Sequence, residues 1–188
     1  ASPEASVAMY SLGDPSTLAA ATDEIIGWLR SNDLITPATT VLDLGCGIGR
    51  IAAALAPHVR SVHGVDVSPA MVREASRRCA GVPNVHFALT TGTDLAACPD
   101  GTFNLVLAVD TFPYLVQAGV AERHIAESRR VLRPAGSLVI LNLSYRIAPG
   151  HDHLDAATWV RLHGFTIERN AERPFGLWDA SCWIFRRD

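Results

Sequence analysis

Short apolar runs alternate with stretches in which hydrophobic residues recur every three or four positions, and this alternation continues along most of the 188-residue chain. Five runs read as strands: TVLDL (40–44), SVHGVD (61–66), NVHFAL (84–89), FNLVLAV (103–109) and SLVILNL (137–143). Near-continuous apolar runs of this length suit strands buried on both faces, as in a parallel sheet. Helical periodicity predicts elements over 14–31, from about Arg50 to Pro57, from Ser68 through Arg78 and over 120–132. Asp14 with Pro15, and Ser68 with Pro69, each pair a capping side chain with a first-turn proline. RPAG (133–136) stops the helix over 120–132, and Pro113 reads as a turn. A short helix in DAATWVRLHGF ends on Gly164, and two further strands follow near 165–171 and 181–187. This order predicts an α/β fold: a doubly wound, mainly parallel sheet with helices on both faces. No repeat or linker divides the chain, so one domain over 1–188 is expected.

The stretch VLDLGCGIGR (41–50) breaks the pattern, because Gly45, Gly47 and Gly49 fall where a buried strand ends. Glycine inside a regular element costs about 0.5–1 kcal/mol per site. Three in five residues therefore point to something approaching the backbone closely. Strand, glycine turn and helix together form the arrangement that presents backbone to a ligand. The spacing is GxGxG, not the GxGxxG of dinucleotide enzymes. Asp66 ends the second strand 21 residues after Gly45, where a carboxylate can accept hydrogen bonds from ribose hydroxyls.

Composition narrows the function classes. All 16 basic residues are Arg, so chemistry that requires a Lys, a pyridoxal Schiff base or a phosphate-loop ATPase, is excluded for this chain. A net charge of −3 offers no basic excess for nucleic acid or anionic lipid. Cys46, Cys79, Cys98 and Cys182 form neither a CxxC pair nor a zinc spacing, which fits a reduced, cytoplasmic protein. The first 30 residues lack a signal-peptide core and no run reaches the length of a membrane span, so no membrane partner is expected.

Several motifs together resemble the class I S-adenosylmethionine-dependent methyltransferases. VLDLGCGIGR resembles the family's first motif and GVDVSPAMV (64–72) the motif that follows it. PDGTFNLVLAVDTFPYL (99–115) resembles the segment leading into the fourth strand, and RVLRPAGSLVI (130–140) the arch before the fifth. LHGFTIERN and SCWIF resemble the closing helix and antiparallel hairpin. The resemblance implies a seven-stranded sheet whose last strand is antiparallel and inserted between the fifth and sixth. It implies S-adenosylmethionine as cofactor and S-adenosylhomocysteine as product. Asp43 would hold the amino group of the methionine part. Gly45, Cys46 and Gly47, with Gly49 closing the turn, would pass beneath it. Asp66 would bind the ribose, Val67 and Met71 would sandwich the adenine, and the backbone around Val109 would face the methionine part. Thr91, Gly92 and Thr93 would run past the adenine. Many members carry Asp where Thr91 stands, so Thr91 or Asp94 is expected to replace it.

The acceptor side is expected just beyond the fourth strand, since open parallel sheets bind ligands at strand carboxyl ends. There Asp110 can orient or deprotonate an acceptor, while Phe112 and Tyr114 either wall the site or belong to the core. His151, in the polar stretch SYRIAPGHDHLD (144–155), is a candidate general base. His-x-His beside carboxylates in a loop is weak evidence for a metal, and none is expected. His58, His63, His86, His124 and His163 read as structural. The N-terminal segment and helix (1–35), with Tyr10, can form a lid over the cofactor. The expected partner is a small-molecule methyl acceptor, with homo-oligomerisation left open. Competing readings are a nicotinamide-dependent oxidoreductase, a non-catalytic cofactor-binding module, and a methyltransferase acting on RNA or protein.

Overall fold

The computed structural model describes residues 14–146 and 150–188. Seven strands form one sheet in the order β3-β2-β1-β4-β5-β7-β6. They are β1 (Thr40–Leu44), β2 (Ser61–Asp66), β3 (Val85–Leu89), β4 (Phe103–Val109), β5 (Leu132–Leu141), β6 (Phe165–Glu172) and β7 (Cys182–Arg187). The first five pair in parallel, and β7 lies antiparallel between β5 and β6. This is the doubly wound topology expected from the sequence, with the chain reversing its winding direction between β1 and β4.

Helices α1 (Pro15–Ser31), α2 (Arg50–Leu55), α3 (Pro69–Arg78), α4 (Phe112–Gln117), α5 (Ala121–Val131) and α6 (Gly150–His163) cover the sheet. Alternate strand residues feed two separate cores. Val41, Leu105, Leu107 and Val139 pack with Ile25 and Leu29 of α1 and Leu55 of α2. Leu42, Val106, Leu138 and Ile140 pack with Phe112 of α4, Ile125 of α5 and Trp159 of α6. Burial of β1 on both faces explains why TVLDL shows no alternation. Phe175 stacks on Trp178 and meets Trp28 of α1 edge-on, so these aromatics belong to the core.

Three elements differ from the sequence expectation. Phe112–Gln117 is a helix, not a turn; Pro113 sits in its first turn, where its missing N–H leaves nothing unpaired. The RPAG stretch lies inside β5, because a register shift between Phe103 and Leu105 of β4 accommodates the extra residues. Helix α6 begins at Gly150, five residues earlier than expected. Its first turns carry His151, Asp152, His153 and Asp155. Asp152 accepts from Ser144 Oγ at 2.7 Å and Asp155 accepts from Arg146 Nη2 at 2.6 Å, which fastens this end of the helix to the stretch after β5.

Candidate functional site

The glycine turn leaves the carboxyl end of β1 and is shaped from three sides. Gly45 has φ +75°, and a Cβ there would stand 2.3 Å from Thr111 Oγ1, which itself donates to Leu44 O at 2.8 Å. Gly49 has φ +75°, and its Cβ would meet both Ala75 of α3 and Phe87 of β3 at 3.0 Å. The amides of Gly45 and Cys46 both donate to Val65 O, at 2.8 and 3.0 Å. Gly47 N donates to Asp66 Oδ2 and Ser68 N to Asp66 Oδ1, each at 2.9 Å. The turn thus approaches a ligand through its small cross-section, while several of its amides serve the fold.

A cavity of about 410 Å³ opens over this turn, with Gly45, Gly47, Asp66, Val67, Met71 and Gly92 in its wall. A Cβ on Gly92 would lie 2.6 Å from Val67 Cγ1, so these two residues define one end. At the other end a small extension of about 40 Å³ passes Gly45, Gly47 and Val109 to reach Asp43 and Arg50. Asp43 is buried, and its Oδ2 has no hydrogen-bond partner among the described residues. Burial pushes its pKa up to about 7; Arg50 pulls it down and Asp66 adds to the rise. Arg50 is held by donation from Nη1 to Thr22 Oγ1 of α1 at 2.5 Å.

Asp110 stands where β4 ends, with φ +58°, and lines both the cavity and its extension. Its Oδ1 accepts from Asn142 Nδ2 at 2.9 Å. Burial raises its pKa above the ordinary carboxylate value, opposed by the Asn142 hydrogen bond and by the Tyr145 hydroxyl nearby. The Tyr145 phenol is raised in turn by burial and by the Asp110 charge. Tyr145 meets Tyr114 edge-on at 5.9 Å. Tyr145 also lines a second cavity of about 580 Å³, with Pro113, Glu122, Arg146, Asp155 and Trp159. Tyr114 and Asp110 belong to the first cavity, so the two cavities meet where the Tyr114 and Tyr145 rings touch.

A protein-family model for a methyltransferase domain matches residues 41–136, from the start of the glycine turn's strand to the bulge in β5. The chain belongs to the class I S-adenosylmethionine-dependent methyltransferase family. Among the relatives of this methyltransferase-family chain, 2-methyl-6-phytyl-1,4-hydroquinone methyltransferase of Synechocystis is 33% identical over 115 residues, 61% of this chain and 35% of that protein. Demethylmenaquinone methyltransferase of Tropheryma whipplei is 33% identical over 111 residues, 59% of this chain and 44% of that protein. The chain thus spans less than half the length of these curated relatives. The fold matches the crystal structure of a SAM-dependent methyltransferase from Aquifex aeolicus with a TM-score of 0.70, at 23% identity and with 94% of each chain covered.

The site residues fit the family's cofactor in size and charge. The unpaired Asp43 Oδ2 is a ready acceptor for an ammonium group, and the glycines let Thr111, Ala75 and Phe87 pack against the turn, which keeps it thin beside the cavity. The structure divides the other candidates. Phe112 is in the core and Tyr114, 60% exposed, faces the cavity. Thr91 and Thr93 are exposed and share a hydrogen bond of 2.9 Å between their hydroxyls. Asp94 pairs with Arg123 of α5 at 3.0 Å. Thr91 and Asp94 line a neighbouring cavity against β2 and β3, while Thr90 and Gly92 face the glycine-turn cavity. His151 is exposed on α6 and lines neither of the two larger cavities. Tyr10 lies outside the described residues.

Several contributors escaped the sequence reading. His124, in the first turn of α5, lines the glycine-turn cavity although a helical histidine reads from the sequence as structural. Asn142 and Tyr145 lie just past β5, and that position at the carboxyl edge of the sheet was the available signal. Thr111 and Arg50 flank motifs whose glycines drew attention first. Among the described residues, no helix is long and apolar enough to cross a membrane.

Proposed function

We propose that this chain binds S-adenosylmethionine in the glycine-turn cavity and methylates a small molecule that enters beside Tyr114 and Tyr145. Asp43 ionises against the ammonium of the methionine part, and Arg50 lies close enough in the same extension to face its carboxylate. Asp66 keeps lone pairs for the ribose hydroxyls after accepting from Gly47 and Ser68. Val67 and Met71 flank the adenine. When bound, the cofactor supplies a methyl group on a positively charged sulfur, already a good leaving group. The chain's task is then alignment, which can contribute about 7–11 kcal/mol.

Asp110 holds the acceptor and takes its proton where the nucleophile carries one. Its raised pKa makes it a stronger base than an ordinary carboxylate, and Asn142 fixes the carboxylate's direction. The names of the first relatives point to hydroquinones and quinone precursors, so a phenolic or quinol acceptor is the first to try. The observation that carries this reading is the buried, unpartnered Asp43 Oδ2 beside a turn too tight for side chains. The test incubates the chain with methyl-labelled S-adenosylmethionine and a panel of hydroquinones, phenols and small amines. Label transfer with formation of S-adenosylhomocysteine, lost in Asp110→Asn, supports it. Tight cofactor binding without transfer to any member would instead favour a non-catalytic binding module.

A further inference from the structure

His124 is 1% exposed and lies in the wall of the glycine-turn cavity. Its Nδ1 lies 3.0 Å from Val120 O, one turn earlier on α5. A carbonyl oxygen only accepts, so Nδ1 carries a proton, and in the neutral ring Nε2 is then the acceptor. Among the described residues no group hydrogen-bonds Nε2. The ring is therefore held as a one-sided acceptor in the wall of a binding cavity.

The end of the cavity that it serves follows from how α5 is tied down. Arg123 Nη2 donates to Asp94 Oδ2 at 3.0 Å. Glu127 Oε2 accepts from Leu95 N at 3.0 Å, and Arg130 Nη2 donates to Leu95 O at 2.8 Å. These bonds bracket His124 and press its helix against the stretch that follows Thr90 and Gly92. Those two residues line the same cavity as His124, and Gly92 packs on Val67. The side chains expected to accept from the adenine amino group are engaged elsewhere, Thr91 with Thr93 and Asp94 with Arg123.

We infer that His124 Nε2 accepts the exocyclic amino group of adenine and so selects an adenosyl over an inosyl cofactor. An amino group donates to the fixed lone pair, whereas the exocyclic carbonyl oxygen of hypoxanthine at the same position faces it acceptor to acceptor. This inference rests on the proposed cofactor cavity, and its test separates the two.

Calorimetric titration with S-adenosylhomocysteine and with S-inosylhomocysteine, its deaminated analogue, reads the discrimination directly. The wild-type chain is expected to bind the adenosyl ligand at least tenfold more tightly, in line with a buried hydrogen bond left unmade. His124→Ala should lose about tenfold for the adenosyl ligand and most of the discrimination. His124→Gln, whose amide can turn either way, should bind both ligands comparably and melt close to wild type, which separates recognition from folding. Equal binding of both ligands by the wild type, or unchanged discrimination in His124→Gln, would overturn the inference. No binding of either ligand by the wild type would instead remove the cavity assignment itself.

Discussion

Gly47 N donates to Asp66 Oδ2 across 2.9 Å, joining the middle of the glycine turn to the end of the neighbouring strand. In the proposed function, the carboxylate assigned to the ribose is therefore also the clasp of the turn assigned to the methionine part. Its other oxygen accepts from Ser68 N, at the start of α3. One side chain thus sets the spacing between two strands, the entry to a helix and the polar floor of the cavity.

The packing around Gly45 makes a sharp prediction about stability. Gly45→Ala places a methyl group 2.3 Å from Thr111 Oγ1 on a backbone with φ +75°. A strained left-handed residue costs about 1–2 kcal/mol. Overpacking adds about 1–3 kcal/mol more. Thermal and urea unfolding should show that loss. Removing the opposing hydroxyl and methyl in Gly45→Ala/Thr111→Ala should recover part of it, because the two residues share one clash.

Asp43 predicts a pH dependence with a definite sign. Its pKa stands at about 7 through burial, so in the free protein it is neutral below that pH. A cationic amino group requires the carboxylate, so S-adenosylhomocysteine affinity should rise as pH increases through about 7 and level off above. Stability of the free chain runs the other way. With the folded pKa above the unfolded value of 3.8, the folded state holds more protons between those limits, and stability falls as pH rises across them. Asp43→Asn should bind more weakly and show neither slope. Calorimetry and denaturant titrations from pH 5 to 8.5 check both.

Asp110 and Tyr145 predict an effect on turnover. With a proton-bearing acceptor, Asp110→Asn should lower kcat by about 10²–10⁴-fold. S-adenosylhomocysteine affinity should change far less. The rate should fall at low pH, as Asp110 protonates at a pH above the usual carboxylate range. Tyr145→Phe removes a hydroxyl that favours the carboxylate, so this acid limb should move to higher pH. A pH–rate profile of both variants checks the assignment.

The order of strands and helices was legible because it rests on local signals: apolar runs, caps and prolines acting within a few residues. Asp14 and Ser68 cap α1 and α3 as their sequence neighbours imply. Helix α4 was missed because six residues are too few to show a helical period. The start of β5 was misplaced because its bulge depends on the partner strand. The same division runs through the site. The glycines and Asp66 announce themselves within one βα unit, whereas His124, Asn142 and Tyr145 enter only when α5 and the end of β5 come up against β4.

Titration of S-adenosylhomocysteine into wild type, Asp66→Ala and Asp94→Ala distinguishes a cofactor held by Asp66 and the glycine turn from one that is not. Hydrogen bonds to a charged group contribute about 1.5–3 kcal/mol, so Asp66→Ala should weaken binding by about 10–100-fold. Asp94→Ala, which loses the pair with Arg123 and the hydrogen bond from Ala96 N, should stay within about twofold of wild type. No binding by folded wild-type chain, or equal losses in the two variants, would contradict the account.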